Sequence, residues 1–306
     1  MSGLTMSFVD AAGDAGAAVG GGESKRTSAR LQKQASAPLA VFCSLTLDHS
    51  GSMDDMYLTA PGGVHEIITE QLKSAKENGQ IGRMFVSVFD DEHDIVVDNE
   101  NFSELNVSLD DIKGWMKPRG CTRLYDSAIQ DIDNLLAAIE EYKASLAPEV
   151  LQLSPEIVSV WVCCTDGFDN MSDASVSEFA AKVKEARKAG VKCTFIAANQ
   201  DAVLTGQKFG FDRDSSLTFG ADNICAPEAF RCVSDNLRQA TSSGNNVKFS
   251  QAQRISSLGG AAGDVDSDDD CDNVMMPPLS PLRAPVLRRA PMVNLRQPAQ
   301  HFDDEL

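Results

Sequence analysis

Asp48, Ser50 and Ser52 alternate where an apolar run ends, in the stretch Leu47-Asp48-His49-Ser50-Gly51-Ser52-Met53. Two other stretches offer the same kind of atom. Gly120-Cys121-Thr122-Arg123-Leu124 places a threonine just ahead of a helix-period segment, and Cys164-Thr165-Asp166-Gly167 places an acid at the end of a second apolar run. Hydroxyl and carboxylate oxygens are hard donors, suited to Mg²⁺, Mn²⁺ or Ca²⁺ rather than to zinc or copper. A divalent ion held largely by neutral hydroxyls keeps net positive character and still attracts an external carboxylate. Each stretch alone has a plainer reading: Asp-Ser-Gly-Ser is common in turns and helix caps, Thr122 could cap a helix, and Asp166-Gly167 could be a loop. Their joint occurrence, in this order and beside these elements, favours one shared site for an ion. His49, between two of the donors, reads as a surface residue and not a ligand.

The elements that must position these donors follow a repeated order of strand then helix. Strands are expected at 41–47, 83–89, 94–98, 157–164, 191–197 and 216–219, and four of them are short, continuous apolar runs of the kind covered on both faces. Helices are expected at about 62–78, 124–146, 175–189 and 227–242. The third opens on Ser175-Val176-Ser177-Glu178, the spacing of a capping box, and closes at Gly190; the fourth carries Pro227 near its first turn. Parallel neighbours need long crossovers, so this order predicts an α/β, doubly wound, mostly parallel six-stranded sheet with helices on both faces. The segment 94–98 follows its predecessor after a few residues and is expected to be a short antiparallel edge strand. In open sheets of this kind ligands bind beyond the carboxyl ends of the strands, where strand order reverses. That rule points to the residues following 41–47 and 157–164.

Composition sets the boundaries. Residues 1–37 are rich in Ala, Gly and Ser without a period, and 244–306 hold an acidic run and then a proline-rich stretch. Both read as disordered tails around a single domain at 38–243, which is long enough for one well-buried core. That middle carries 33 Asp or Glu against 17 Lys or Arg, a net of −16 out of −18 for the chain. So acidic a body repels phosphate backbones and anionic lipid, which argues against nucleic acid and membrane surfaces as partners. Four of the eight cysteines sit inside strand-like runs, and no Cys-x-x-Cys pairs or clustered histidines suggest zinc. Asp10 and Asp14 interrupt any apolar run near the N-terminus, no basic segment precedes it, and no stretch nears the roughly 20 apolar residues of a bilayer span. A cytoplasmic location is therefore expected. The terminal Asp303-Asp304-Glu305-Leu306 is similar to a retrieval signal but reads as an acidic end.

The set Asp-x-Ser-Gly-Ser, then a Thr in Gly-x-Thr-x-Leu, then Thr-Asp-Gly closing a buried strand resembles the metal-ion-dependent adhesion site of von Willebrand factor type A domains. The positions that match are Asp48, Ser50, Ser52, Thr122 and Asp166. The resemblance covers roughly residues 40–243, and "AANQDAVLTGQKFGF" with "SSLTFGAD" is similar to stand-alone intracellular members. It implies that Ser50, Ser52 and Thr122 approach an ion, Mg²⁺ first among the candidates, through hydroxyls, while Asp48 and Asp166 act directly or through waters. It also implies a non-enzymatic module whose protein partner presents an Asp or Glu to the ion.

Two other functions compete. Asp48 at the end of a first strand resembles the phosphorylated acid of haloacid-dehalogenase-type phosphatases, yet the second acid those enzymes need two positions on is here Ser50. No phosphate-cradling Gly-x-x-x-x-Gly-Lys-Ser/Thr segment or Gly-x-Ser-x-Gly nucleophile turn with sensibly placed partners is present. A scaffold acting through its tails is the other alternative. Pro278-Leu279-Ser280-Pro281-Leu282-Arg283 has the spacing of an SH3 ligand and a Ser-Pro site for a proline-directed kinase, though plain disordered chain is the simpler reading. The run 264–272 fails as a calcium loop, since its sixth position is Asp269 and its twelfth Met275.

Overall fold

The computed structural model describes residues 39–198 and 200–260. The N-terminal tail, the acidic run 264–272, the Pro278–Arg283 segment and the terminal Asp303–Leu306 lie outside the described residues. Six strands form one sheet: β1 (Ala40–Asp48), β2 (Ile81–Phe89), β3 (His93–Asn101), β4 (Ile157–Thr165), β5 (Lys192–Ala198) and β6 (Ser216–Phe219). Their order across the sheet is β3-β2-β1-β4-β5-β6. All pairs are parallel except β2 with β3, which is antiparallel and irregular between Met84 and Ser87. This is the α/β, mostly parallel, doubly wound architecture with an antiparallel edge that the strand–helix alternation predicts. Strand order reverses between β1 and β4, so the crevice for a ligand opens beyond Asp48 and Thr165. The edge strand is longer than expected. It carries Asp94, Asp98 and Glu100, charges that blunt an exposed edge.

Helices cover both faces, because β1 alternates its side chains between two apolar layers. Val41, Cys43, Leu45 and Leu47 share a core with Ile67 of α1 (Ala60–Asn78), Ile112 of α2 (Leu109–Trp115) and Phe230 and Leu237 of α7 (Cys225–Ser243). Ala40 and Phe42 share the other with Ile132 of α3 (Leu124–Ser145) and Phe179 and Val183 of α5 (Val176–Lys188). α1 and α7 meet closely: a Cβ at Gly63 would lie 2.2 Å from Phe230 Cγ, so hydrogen is required there. The capping box of α5 is present, with Ser175 Oγ accepting from the Glu178 N–H at 3.3 Å and the Ser175 N–H donating to Glu178 Oε2 at 2.7 Å.

Four short helices were not expected from the sequence: α2, α4 (Pro148–Gln152), α6 (Ala202–Lys208) and α8 (Gln251–Ser256). A 3₁₀ turn, Gly51–Met56, also follows β1. The chain does not leave the fold at Ser243, where composition placed the start of a tail. Val247 and Phe249 are buried in the first core, and the Ser257 hydroxyl donates to the Thr218 carbonyl of β6 at 2.8 Å. No helix among the described residues is long and apolar enough to cross a membrane. The seven described cysteines are free thiols, six of them buried and Cys121 exposed.

Candidate metal centre

Asp48 ends β1 fully buried, and both of its oxygens are engaged. Oδ1 accepts the Ser50 N–H at 2.7 Å, and Oδ2 accepts the Thr165 hydroxyl at 2.5 Å. The second bond follows from register: Leu47 pairs with Cys164, so the next residues, Asp48 and Thr165, end adjacent strands together. Burial pushes the Asp48 carboxyl up to about 6, against the downward pull of the Ser50 and Thr165 hydrogen bonds. From Asp48 the donors run outward. Ser50 Oγ lies 3.1 Å from Ser52 Oγ, and the Ser52 hydroxyl donates to Asp166 Oδ1 at 2.7 Å. Asp166 is half-buried and its pKa is raised, chiefly by burial, with the Ser52 bond opposing.

Thr122 reaches the same point from the second loop. A Cβ at Gly167 would stand 3.4 Å from Ser52 Oγ and 3.5 Å from Thr122 Oγ1, so glycine leaves the two hydroxyls flanking one space. The Gly51 N–H donates to the Gly120 carbonyl at 3.3 Å, which ties the first and second loops. All five residues singled out in the sequence therefore gather at one end of the sheet, in a gradient from buried Asp48, Ser50 and Thr122 to exposed Ser52.

The plainer roles for these hydroxyls are filled by other groups or left unused. Ser50 is the N-cap of the 3₁₀ turn but makes no side-chain cap bond. The first N–H groups of α3 are capped from a distant loop: Ser172 Oγ accepts from Tyr125 and Asp126 at 3.0 and 3.1 Å, and Asp169 Oδ2 accepts from Tyr125 at 3.2 Å. Thr122 is thus spared as a cap. Its own N–H donates to Asn170 Oδ1 at 2.9 Å, and its carbonyl accepts the N–H groups of Asn170 and Met171. Asp126 holds the far end of this loop by accepting the N–H groups of Asp173 and Ala174, each at 3.0 Å. Burial raises the Asp126 pKa, but those bonds and Arg123 outweigh it and keep the group below the usual carboxylate range.

Thr165, Asn170, Asp169, Ser172 and Asp126 thus support the centre, and sequence reasoning assigned none of them. Thr165 could have been found once Asp48 and the end of β4 were aligned as neighbours. The run 169–173 offers no local signal beyond a polar loop.

His49 corrects an expectation. It is 3% exposed, not a surface residue. Its N–H donates to the Phe89 carbonyl at 3.0 Å and its carbonyl accepts the Arg119 N–H at 2.9 Å, which turns the imidazole away from the donors and under the loop that carries Thr122. Burial lowers its pKa, with nearby Asp90 opposing.

The donor set fits a small hard cation: the Ser50 and Ser52 hydroxyls and the Asp166 carboxylate form a line with the Thr122 hydroxyl beside it, Asp48 stands behind them on Ser50 and Thr165, and both acids are destabilised as anions by burial. It is chemically distinct from a cluster of acids, histidines or thiols. Among the described residues no group of three or more of those is placed to hold a metal ion.

No protein-family model matches the chain, and no curated protein matches it. Among solved structures, proximal thread matrix protein 1 of the mussel byssus, described with a zinc-occupied metal-ion-dependent adhesion motif, aligns with a TM-score of 0.41 at 16% identity over 67% of this chain and 47% of its own. The chain spans about half the length of that protein. A von Willebrand factor type A protein from Catenulispora acidiphila aligns with a TM-score of 0.42 at 14% identity, over 65% of this chain and 43% of that one. The von Willebrand factor domain of the type V pilus tip protein Mfa5 from Porphyromonas gingivalis aligns with a TM-score of 0.50 at 10% identity, over 68% of this chain and 98% of that one. With its strand order and its single antiparallel edge, the sheet therefore has the von Willebrand factor type A fold.

Proposed function

We propose that the protein is a non-enzymatic binding module that captures an Asp or Glu of a protein partner through a divalent ion held by Asp48, Ser50, Ser52, Thr122 and Asp166. The observation that carries this reading is the continuous oxygen line Ser50–Ser52–Asp166, with the Thr122 hydroxyl beside it across Gly167. Three of the five donors are neutral, so a bound ion would keep enough positive character to attract a further carboxylate. Mg²⁺ suits a compact site completed by waters, Mn²⁺ is close to it, and Ca²⁺ asks for more oxygens at longer range. The hydrolase alternative is weaker, since position 50, where a second acid would act on a leaving group, is a serine engaged with Ser52.

Magnesium titration of the full chain tests the ion. Ligand that binds only the folded state adds about 2.7 kcal/mol at one hundred times its dissociation constant, so the melting temperature should climb with added Mg²⁺. Thr122→Val keeps volume and removes one donor, and its melting curve should lose most of the response. A wild-type curve that ignores millimolar ion contradicts the site. Chelator-sensitive retention of a carboxylate-bearing partner tests the second half of the proposal.

A further inference from the structure

Next to the centre, between the β2–β3 hairpin and the end of α2, lies a cavity of about 500 Å³ that ion binding does not use. This volume is that of a small-molecule site, for which roughly 300–1,000 Å³ is usual. Its walls include Val88, Val96, Trp115 and Pro118, with Val88 buried and the other three half-buried. His49 closes the inner end. Its side chain is 4% exposed, and neither Nδ1 nor Nε2 has a hydrogen-bond partner among the described residues. Asp90 Oδ1 stands 3.8 Å from Nε2, and the Lys117 backbone influences the ring without meeting hydrogen-bond geometry.

As packing alone the position leaves a donor and an acceptor with no protein partner, and a polar group entering the cavity can supply one. The His49 backbone is fixed on both sides, its N–H donating to Phe89 and its carbonyl accepting from Arg119, so the residue itself is held at this end of the cavity. The mouth does not compete for the imidazole. Arg119 is occupied by Asp90 at 2.6 Å, Asp94 at 2.9 Å and Glu92 at 3.2 Å.

A neutral imidazole offers one donor and one acceptor. Its complement is a group that does both, and a flat apolar body is what the Trp115 face and the valine walls would cover. We infer that this cavity binds a small phenol, its ring against Trp115 and its hydroxyl on the His49 imidazole. A hydroxyl can accept from one ring nitrogen or donate to the other, whereas a plain hydrocarbon would leave both unpaired. The inference does not depend on the ion.

The probe is 4-methylphenol, with toluene as the same shape lacking the hydroxyl, added to the full chain in excess chelator so that failure here leaves the ion proposal untouched. Histidine and tryptophan ring resonances report binding. Saturable shifts of His49 and Trp115 signals below about 10 mM 4-methylphenol are expected, at an affinity about fivefold or more above that for toluene. His49→Phe should remove the preference, and Val96→Trp, which fills the cavity from the edge strand, should remove binding of both probes. Absence of saturable shifts, equal affinity for both probes, or a preference that survives His49→Phe would overturn the inference. Should His49→Phe fail to fold, the Val96→Trp result and the comparison of the two probes still decide it.

Discussion

At the scale of residues, the candidate centre separates side chains that hold the fold from side chains that only face the proposed ion site. Thr165 belongs to the first kind. Its hydroxyl satisfies one oxygen of the fully buried Asp48, and the isosteric Thr165→Val leaves that oxygen unpaired. A buried acceptor stripped of its partner costs about 1–3 kcal/mol, so Thr165→Val should lower the urea midpoint with an unchanged slope. Ser52 is exposed, and its bonds are to Ser50 and Asp166 at the rim. Ser52→Ala should shift stability by less than about 0.5 kcal/mol, as surface changes do, while weakening the response to Mg²⁺. Equal stability losses in the two variants would contradict this division. The sequence made Asp48, Ser50, Ser52, Thr122 and Asp166 legible because each sits in a short stretch of recognisable spacing. Thr165 is legible only once the ends of β1 and β4 are set side by side, and Asn170 not at all, since its bond to Thr122 spans loops distant in the chain.

At the scale of elements, the long strands and helices were readable because their apolar runs exceed one period. α2, α4 and α6, of seven, five and seven residues, were not, since so few positions give no sustained helical pattern. Also hidden was a polar joint beneath the sheet. Asp131 of α3 accepts the Thr46 hydroxyl of β1 at 2.5 Å and the Ser87 hydroxyl of β2, and pairs with His93 Nε2 of β3 at 2.9 Å. The joint thus fastens the edge strand to the helix that begins beside Thr122. Burial pulls the His93 imidazole down, but the hydrogen bond and charge of Asp131, helped by Gln130 and Asp94, outweigh it and leave its pKa above 6.5. A group raised on folding contributes stability that is full below its ordinary value and lost as pH rises through the folded one. Stability should therefore fall with rising pH in the interval just above about pH 6.5. His93→Gln should flatten that part of the profile, as read from urea midpoints across the range. A parallel profile in the variant would exclude His93 as the source.

At the scale of the whole molecule, an acidic body of this charge concentrates cations around it and disfavours anionic surfaces, which suits the proposed divalent-ion site. How far that body extends was misjudged from composition, because residues 244–260 join it through few apolar anchors set in polar chain. The anchors are nonetheless buried: Val247 is 4% and Phe249 6% exposed, and the Phe249 N–H donates to the Asp214 carbonyl at 2.8 Å. Around them the Gly220 N–H donates to the Ser257 carbonyl at 3.2 Å, and Arg254 Nη1 donates to the Ser216 carbonyl at 2.7 Å. Removing a buried phenylalanine side chain costs about 3–5 kcal/mol, and in a body of this size each kcal/mol moves the melting temperature by about 2–4 °C. Phe249→Ala in the full chain should therefore melt roughly 6 °C or more below wild type. Its response to Mg²⁺ should persist, because Asp214 precedes edge strand β6 and so lies at the strand ends opposite those of β1 and β4 that carry the candidate site. A melting temperature unchanged by Phe249→Ala would return the boundary to Ser243, and a lost ion response would mean that the two ends of the sheet are coupled.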